Sequence, residues 1–248
     1  MAAKECVILV MVMVMAFFLV DAVATKDGWN GAHATFYGDV KGNETMQGAC
    51  GYGDLFERGY GLETTALSTV LFHKGLTCGA CYEIQCDNSK WCLNDTIKVT
   101  ATNICPSNYI NPSENWCNPP SKHFDLSQPM FRKIAVYEAG VVPIVYRRTP
   151  CIKNGGIEFE IKGNPYSMLI LVYNVGGAGD VEGVRIKGSG AKWLGMSRDW
   201  GQNWKIDAHL VGQNLSFQVT TSDGRMLQSD NVAPADWKFG HVYEGKQF

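Results

Sequence analysis

The sequence predicts a mainly β protein with two domains, a small closed barrel that carries short helices and then a β-sandwich. Short segments rich in β-branched and aromatic residues recur along the chain, separated by Gly, Pro and Asn clusters. Eight of the nine cysteines lie between Cys50 and Cys151, and residues 152–248 contain none. This asymmetry indicates two cores with different stabilisation, joined near residues 150–164.

The amino terminus has the features of an export signal. Lys4 precedes an apolar run from Cys6 to Val20, and a small-x-small cleavage site follows at residues 22–24. The run is short for a membrane-spanning helix, so we expect secretion rather than a membrane anchor. The predicted organisation is a signal peptide at residues 1–24, the barrel domain at 25–155 and the sandwich domain at 156–248.

Three elements are predicted at the start of the barrel. Residues 33–38 alternate small or polar with aromatic side chains, which predicts a strand with Thr35 and Tyr37 on one face. Residues 48–61 are rich in glycine and predict a loop whose backbone can approach a flat ligand closely. Residues 65–72 are predicted to form a short amphipathic helix.

The remainder of the barrel consists of further short strands and one more helix. Strands are predicted at residues 82–85, 96–102 and 141–147, and the second helix at residues 130–139. Short strands around two small helices, stapled by disulfides, are typical of a small closed barrel.

The second domain changes to the pattern of a sandwich. Apolar and charged residues alternate from Ile157 to Lys162, as in a strand with one solvated face, whereas residues 167–173 are nearly all apolar and form a central strand. The other predicted strands have the spacing of an all-β sandwich and lie at residues 181–187, 208–211, 216–220 and 225–228, with a turn at 221–224.

Large aromatic residues accompany these strands. Most are expected in the core, because a sandwich of this size needs large inward side chains, while a minority on one sheet face would make a platform for sugar rings. The residues in question are Tyr166, Tyr173, Trp193, Trp200, Trp204 and Trp237.

The segment before the second helix carries the strongest candidate for chemistry. Asp125 follows His123 by two residues and has apolar neighbours, and desolvation there disfavours the charged carboxylate, as a general acid requires. The alternative is that Asp125 only precedes or caps the helix that Ser127 opens, with Pro129 in the first turn.

Composition and cysteine spacing exclude several classes of partner. The formal net charge is −2 and residues 156–248 are nearly neutral, so no surface for nucleic acid or anionic lipid is predicted. Cys78 and Cys81 form a CxxC pair with Cys86 nearby, but the histidines are scattered singly, so we predict no metal site and no cofactor. In an oxidising compartment these cysteines instead predict disulfides, although their spacing leaves the pairing open.

Eight short motifs, in the same order along the chain, resemble those of the plant expansins. They lie at residues 35–38, 48–53, 78–81, 101–106, 116–120, 123–125, 146–148 and 200–204. The insert at 116–120, just before the His123-Phe124-Asp125 motif, points to the α branch of the family. The resemblance covers the whole mature chain.

The resemblance implies a fold, a pairing of cysteines and a function. The barrel would be a six-stranded double-psi β-barrel like that of the family forty-five endoglucanases, followed by an immunoglobulin-like sandwich that binds cellulose. Expansins loosen plant cell walls at acid pH by disrupting noncovalent contacts between cellulose and matrix glucans such as xyloglucan, without hydrolysis. The implied protein is a secreted monomer of the plant cell wall with no protein partner. The implied disulfides are Cys50 with Cys78, Cys81 with Cys151, Cys86 with Cys92, and Cys105 with Cys117.

The resemblance also implies roles for individual residues of the barrel. Asp125 matches the general acid of those endoglucanases and would be essential for loosening, while Thr35 and Tyr37 line the glucan groove together with His123. Asn103 stands after Thr102 where other branches have an aspartate, and an amide cannot act as a base.

In the sandwich domain, the resemblance implies that Tyr166 and Trp200 face the polysaccharide, with Trp193 as a third member. Trp204 is assigned to the core. Three sequons, at Asn43, Asn94 and Asn214, predict glycosylation of the exported chain.

Two other functions remain open from the sequence. A weak β-1,4-endoglucanase with Asp125 as general acid would need a second carboxylate, for which Asp39 has the endoglucanase spacing. We interpret Asp39 as a surface turn residue. The other alternative is a defence or signalling barrel like the barwin-like proteins.

Overall fold

The computed structural model describes residues 28–41, 47–110, 115–190 and 192–248. The predicted signal peptide and the sequon at Asn43 lie outside these residues. Within the described part of the chain, none of the helices has the length and apolar character needed to cross a membrane. Residues 31–248 form one compact unit, which contains both of the folded regions described below.

Six strands form the closed barrel of the first region, in the spatial order β1-β5-β2-β4-β3-β6. Strands β1 and β5 pair in parallel, as do β2 and β4, and the other described pairs are antiparallel. The strands are β1 Asn30–Tyr37, β2 Thr64–Ser68, β3 Cys81–Cys86, β4 Thr96–Cys105, β5 His123–Ser127 and β6 Val142–Arg148. This is the predicted fold class, a mainly β protein that begins with a double-psi barrel.

Two short helices follow strands of the barrel. Helix α1 spans Thr69–Phe72 and helix α2 spans Gln128–Ile134, with Pro129 in its first turn. The apolar side of α2 packs into the barrel core, where Phe131 and Ile134 are fully buried beside Phe124 of β5. Large apolar residues inside the barrel and on the two helices therefore share one core.

The prediction of a helix at residues 65–72 is wrong over its first half. Thr64–Ser68 is the strand β2, every residue of which is buried, and only Thr69–Phe72 is helical. Strand β2 pairs with β4 on one side and with β5 on the other, so the backbone hydrogen bonds of a central strand replace those of a helix. The spacing of small and apolar residues in this segment is compatible with a helix and with a strand. Its pairing with β4 and β5 makes it a strand.

The second predicted helix is shorter than expected. It ends at Ile134 because Ala135 is extended and forms a β-bridge with Cys92, and the backbone N–H of Val136 donates to the carbonyl of Trp91. Residues Tyr137–Ala139 form a separate 3-10 turn before Gly140, which has a φ of 65°. The loop closed by the Cys86–Cys92 disulfide thus forms backbone hydrogen bonds with the residues that would otherwise continue the helix.

Two sheets form the sandwich. One has four strands in the order β10-β9-β13-β14 and the other has five in the order β11-β12-β8-β7-β15. The bounds are β7 Glu158–Asn164, β8 Ser167–Tyr173, β9 Val181–Lys187, β10 Leu194–Gly195, β11 Ser197–Trp200, β12 Asn203–Ile206, β13 Leu215–Thr221, β14 Met226–Ala233 and β15 Val242–Glu244.

The core of the sandwich lies between the two sheets. The rings of Phe159 and Phe217 stack with centroids 4.2 Å apart, and Trp204 is buried beside them in the same cluster. The predicted strand at residues 208–211 is wrong, because the chain leaves the sheet after β12 and these residues form no strand. Asn203–Ile206 takes the place beside β8 instead.

Several contacts, which together we call the joint, connect the barrel to the sandwich. Arg58 of the barrel forms a 2.6 Å ion pair with Glu160 of β7 and donates to the Tyr173 hydroxyl of β8 at 2.8 Å. Leu171 and Tyr173 belong to the core cluster of the barrel, and an ion pair of 2.6 Å joins Arg148 to Asp180. The predicted domain boundary between residues 155 and 156 falls in the connection between β6 and β7.

Candidate functional site

A row of side chains crosses four neighbouring strands of the barrel. The strand registers pair Thr35 with Asp125, Asp125 with Ala66, and Ala66 with Asn103. Successive residues of a strand point to opposite faces, and the neighbours Ala34, Phe124 and Leu126 point into the core. Thr35, Asp125, Ala66 and Asn103 therefore lie side by side on the other face of these strands. We call these four residues the Asp125 row.

The hydroxyl of Thr35 joins Asp125 to His123. Thr35 Oγ1 lies 2.7 Å from Asp125 Oδ1, to which it donates, and 2.7 Å from His123 Nε2. A hydroxyl has one proton, so while it donates to the carboxylate, His123 Nε2 must carry a hydrogen and donate to Thr35. His123 Nδ1 is buried and has no hydrogen-bond partner among the described residues, as expected for the unprotonated nitrogen of a neutral ring.

Burial sets the ionisation of this group. Desolvation raises the pKa of Asp125, and the hydrogen bond from Thr35 offsets part of that rise. Desolvation and the nearby His33 lower the pKa of His123 to about 4. Burial and the charge of Asp125 raise the pKa of Tyr37 to about 12. In mildly acidic solution His123 and Tyr37 are therefore neutral, while burial shifts Asp125 toward its neutral form.

Asn103 ends the row as a fixed amide. Its Oδ1 accepts hydrogen bonds from the backbone N–H groups of Ala49 at 2.8 Å and of Ile104 at 2.9 Å. Gly48 makes this approach possible, because a Cβ there would lie 2.4 Å from the carbonyl oxygen of Thr102. With its oxygen occupied, Asn103 offers only N–H donors to a ligand, and it has no carboxylate to act as a base.

Asp39 lies beyond the end of β1, in the turn that follows it. Its Oδ1 accepts a hydrogen bond of 3.0 Å from the backbone N–H of Lys41, which is the local bonding typical of aspartate in a turn. The positions paired with Asp125 across the row are Thr35 and Ala66, and the far end is Asn103. Asp125 is thus the one carboxylate of the row.

The five-stranded sheet carries two of the three aromatic residues predicted to face polysaccharide. Tyr166 lies in the turn between β7 and β8 and is 79% exposed, and Trp200 ends β11 and is 50% exposed. Trp200 pairs with Asn203, which pairs in turn with Leu171, so Trp200 lies on the face opposite the sandwich core. Trp204 points the other way and is buried.

Trp193 lies apart from the other two. It directly precedes β10 at the edge of the four-stranded sheet, and Lys187 Nζ lies 4.8 Å from the centroid of its ring. Trp193 is partly buried there. The structure therefore brings Tyr166 and Trp200 to one sheet and places Trp193 beside the other.

A short loop of the barrel connects the Asp125 row to Trp200. Ala49 donates to Asn103 at the end of the row, and the backbone N–H of Gln202 donates to the carbonyl of Cys50 at 2.9 Å. Gly51 has a φ of 82°, and a Cβ there would lie 2.8 Å from the Trp200 ring. Residues 49–51 thus fill the space between the two candidate surfaces, which explains the demand for glycine in this loop.

Sequence reasoning missed Trp116, which lies next to the site. Its ring is 4.4 Å from that of His33 and is stacked over His123 at 6.5 Å, measured between centroids. The signal was the placement of a tryptophan directly before a cysteine in the insert at residues 116–120. Ser68 was also missed, and its hydroxyl accepts a hydrogen bond from the backbone N–H of His123.

All eight cysteines after residue 27 form disulfides. The structure joins Cys50 to Cys78, Cys81 to Cys151, Cys86 to Cys92, and Cys105 to Cys117, which is the pairing that the resemblance implied. In the described ranges, His, Cys, Asp and Glu side chains form no group of three or more that could hold a metal ion.

The remaining sequons differ in exposure. Asn94 is exposed in the connection between β3 and β4. Asn214 is partly buried, and its backbone N–H donates to Ser189 Oγ at 2.8 Å.

Comparison with known proteins identifies relatives over most of the chain. A family model described as the expansin C-terminal domain matches residues 157–234, and a double-psi β-barrel model described as lytic transglycolase matches residues 64–146. Expansin-A24 of Arabidopsis thaliana is 59% identical over 221 residues, which cover 88% of this chain and 71% of that protein. Expansin-A23 of the same plant is 58% identical over 231 residues, with 91% and 84% covered.

Solved structures share the arrangement of the two regions. An expansin of Clavibacter michiganensis superposes with a TM-score of 0.68 at 19% identity, covering 88% of this chain and 97% of that one. A mutant of that bacterial protein, in complex with cellohexaose, gives a TM-score of 0.67. At this identity the likeness shows the fold, while the plant relatives show the family. This chain belongs to the expansins.

Proposed function

We propose that this expansin loosens the plant cell wall at acid pH by binding cellulose and matrix glucans and disrupting their noncovalent contacts, without hydrolysis. Family membership supports the activity, and one observation carries the mechanism. The Asp125 row has a single, partly buried carboxyl group, which accepts a hydrogen bond from Thr35, and the loop at residues 49–51 connects the far end of the row to Trp200.

Protonation of Asp125 links this arrangement to acid pH. A neutral carboxyl group can donate a hydrogen bond to a glucan oxygen, whereas a carboxylate can only accept one. Because burial raises the pKa of Asp125, the neutral form becomes populated at a higher pH than for an exposed aspartate. A donor at this position competes with the hydrogen bonds between neighbouring glucan chains, and no covalent bond is broken.

The alternative of a weak β-1,4-endoglucanase is not favoured. Hydrolysis of a glycosidic bond needs a second carboxylate on the other side of the bond, as a base or a nucleophile. The row offers Ala66 and Asn103 on that side of Asp125, and Asp39 bonds within its own turn. Among the described residues, the row can therefore hold and protonate a glucan oxygen but places no second carboxylate opposite Asp125.

Cellulose is the first ligand that we propose for the five-stranded sheet, through Tyr166 and Trp200, with Trp193 as a more distant third contact. The cellohexaose complex of the bacterial expansin supports a β-1,4-glucan as the ligand class. Aromatic faces suit the apolar faces of sugar rings, since they present a large rigid area at little entropic cost. We extend the proposal to xyloglucan, to a monomeric state, and to secretion into the cell wall, where plant expansins act.

The function is tested by creep of heat-killed plant wall strips under constant load, with and without the protein. We expect extension to increase when the protein is added at acid pH, and heat-denatured protein serves as the control. Release of reducing ends from soluble β-1,4-glucan is measured on the same preparation. Creep without reducing ends supports the proposal, while reducing ends in proportion to creep would establish the endoglucanase instead.

Glycosylation is proposed as a further property of the secreted chain. Asn94 has the exposure that a glycosyltransferase needs, whereas Asn214 is partly buried. Asn43 lies outside the described residues, so glycosylation there stays a prediction from the sequence. Endoglycosidase treatment of plant-expressed protein should lower its mass, and Asn94→Gln should remove part of that change.

A further inference from the structure

Trp116 is an exposed tryptophan held in one position above the barrel site. It is 41% exposed, yet its ring packs against His33 and stacks over His123, which are paired residues of β1 and β5. His33 and His123 lie two residues along these strands from the pair of Thr35 and Asp125, and therefore on the same face. The indole therefore borders the Asp125 row directly.

The backbone around Trp116 is fastened at several points. The next residue, Cys117, forms a disulfide with Cys105 at the end of β4. The side chain of Asn118 bonds both backbone groups of Asn108, at 2.8 and 2.9 Å, and the backbone N–H of Cys117 donates to Asn115 Oδ1 at 2.8 Å. Packing alone does not explain this fastening, because about two fifths of the side chain that it presents remains exposed. A rigid, exposed aromatic face is the arrangement that a ligand-binding surface requires.

The cavity beside Trp116 combines this ring with polar groups. It has a volume of about 280 Å³ and is lined by Thr35, His123 and Asn115 together with the Cys105–Cys117 disulfide. This is near the lower end of the volumes of ligand pockets, roughly 300 Å³. An aromatic face next to a few hydroxyl, imidazole and amide groups matches a pyranose ring, which has an apolar face and a polar edge.

We propose that Trp116 is a stacking subsite for one pyranose residue of a glucan chain, next to the sugar whose oxygen meets Asp125. The ring would take the apolar face of the sugar, while the Thr35 hydroxyl and the Asn115 amide would lie beside its hydroxyl edge. The inference rests on the proposed function, since it names how the barrel orients the same glucan. It places an aromatic contact in the barrel, separate from Tyr166 and Trp200 of the sandwich.

Trp91 provides a matched control. It is a second exposed tryptophan of the barrel, 38% exposed, and it also directly precedes a disulfide-bonded cysteine, Cys92. It lies away from the row, at the Cys86–Cys92 loop, where Lys90 Nζ is 4.9 Å from the centroid of its ring. Replacement of either residue removes the same exposed side chain from the same domain.

The direct test is tryptophan fluorescence during titration with cellohexaose. Every protein carries Trp193→Phe and Trp200→Phe, so that the proposed tryptophan contacts of the sandwich contribute no signal. We expect cellohexaose to change the emission of this parent protein, the change to disappear in Trp116→Phe, and the change to persist in Trp91→Phe. An equal change in the parent and in Trp116→Phe would overturn the subsite, as would no change in the parent at saturating cellohexaose.

Creep assays separate stacking from a structural role. We expect Trp116→Ala to lower creep by roughly tenfold, Trp116→Phe to retain most of it, and Trp91→Ala to match the wild type. Trp116→Leu keeps an apolar cover over His123 but has no aromatic face, so creep at the wild-type level in this variant would overturn the proposal. Thermal unfolding of each variant identifies any that fail to fold. If the wild type itself causes no creep, the proposed function fails, while the fluorescence titration still decides the subsite.

Discussion

The barrel and the sandwich offer two surfaces of opposite character to a polysaccharide. Apart from the buried methyl group of Ala66, the Asp125 row consists of partly buried polar groups that form directional hydrogen bonds and that include a titratable carboxyl group. The five-stranded sheet instead exposes Tyr166 and Trp200, whose rings offer a large apolar area that a ligand can bury. In the proposed function the first surface responds to pH and the second binds an apolar glucan face. Acid sensitivity and affinity would then be properties of different parts of the chain.

Replacement of Asp125 should produce the largest effect. Asp125→Ala removes the donor, so we expect creep to fall to the level without protein while binding to insoluble cellulose remains. Asp125→Asn keeps the shape and a donor but cannot titrate, so we expect creep to persist with a flattened pH profile. Asp236→Asn, an exposed carboxylate of the sandwich, is the control.

Loss of creep in both Asp125 variants would mean that transfer of the proton matters rather than donation. If both variants show wild-type creep with an unchanged pH dependence, another group accounts for the acid response and the comparison between the two surfaces fails.

The double variant Tyr166→Ala/Trp200→Ala should lose affinity for cellulose and keep its pH response, whereas the Asp125 variants should do the reverse. Each aromatic face contributes about 1 kcal/mol beyond the area that it buries, so we expect affinity for insoluble cellulose to fall by roughly 30-fold, with the pH optimum of the remaining creep unchanged. Met226→Ala, an exposed apolar residue of the four-stranded sheet, serves as a control. A depletion assay with cellulose measures all three proteins.

A variant of Trp193 tests which sheet binds cellulose, because Trp193 adjoins the four-stranded sheet. Trp193→Ala should weaken binding less than either single replacement of Tyr166 or Trp200. An equal loss would mean that the polysaccharide reaches the four-stranded sheet. Unchanged affinity in the double variant, with folding intact, would place the platform elsewhere.

Thr35→Val should shift the pH profile without abolishing creep. The hydrogen bond from Thr35 stabilises the charged carboxylate, so its removal raises the pKa of Asp125 further. If the neutral acid is the active form, creep extends to higher pH, and Thr35→Ser restores the original profile. A shift to lower pH in creep measured across a buffer series would contradict the role given to the neutral acid.

The smallest effect is expected at Lys153, in the connection between the two regions. Burial lowers the pKa of Lys153 to about 8, although its Nζ lies 4.3 Å from the centroid of the Tyr60 ring. The unfolded chain binds this proton more tightly than the folded one, so stability should rise as the pH increases from about 8 to the ordinary lysine pKa.

Lys153→Met removes the buried charge and should raise the free energy of unfolding at pH 6 by about 1 kcal/mol. It should also remove the rise in stability above pH 8. Lys238→Met, an exposed lysine, is the control, and denaturant unfolding is the measurement. Destabilisation at pH 6 would mean that the contact with Tyr60 outweighs the cost of burial.

Much of the fold follows from local patterns, and the errors have a common cause. Strands such as β3, β7 and β8 are predicted from the sequence because they contain β-branched residues or alternating apolar and polar residues. The segment Thr64–Ser68 does not, because its small residues suit a helix equally well and only its pairing with β4 and β5 makes it a strand. The strand Asn203–Ile206 was missed because its position depends on β8, which is distant in sequence.

Pairing between distant segments limits the prediction of the site even more than that of the fold. Thr35 and Asp125 are 90 residues apart, and no local pattern predicts that a parallel pairing of β1 with β5 brings their side chains within 2.7 Å. The resemblance supplied these residues and placed Trp193 third after Tyr166 and Trp200, but which sheet each one adjoins depends on strand pairing that is not local in sequence. Trp116 lies in a loop, where periodicity carries no information about contacts.

The joint between barrel and sandwich has a mechanical consequence. Arg58 bridges Glu160 and Tyr173, and Gly79 and Gly179 approach so closely that a Cβ on the first would lie 2.5 Å from the carbonyl of the second. If these contacts hold the two regions in one arrangement during creep, the protein does not close around a polymer to pull on it. In the proposed function no covalent bond is broken, so the work of extension comes from the tension already present in the wall. On this proposal the rate of creep should vanish with the load however much protein is bound.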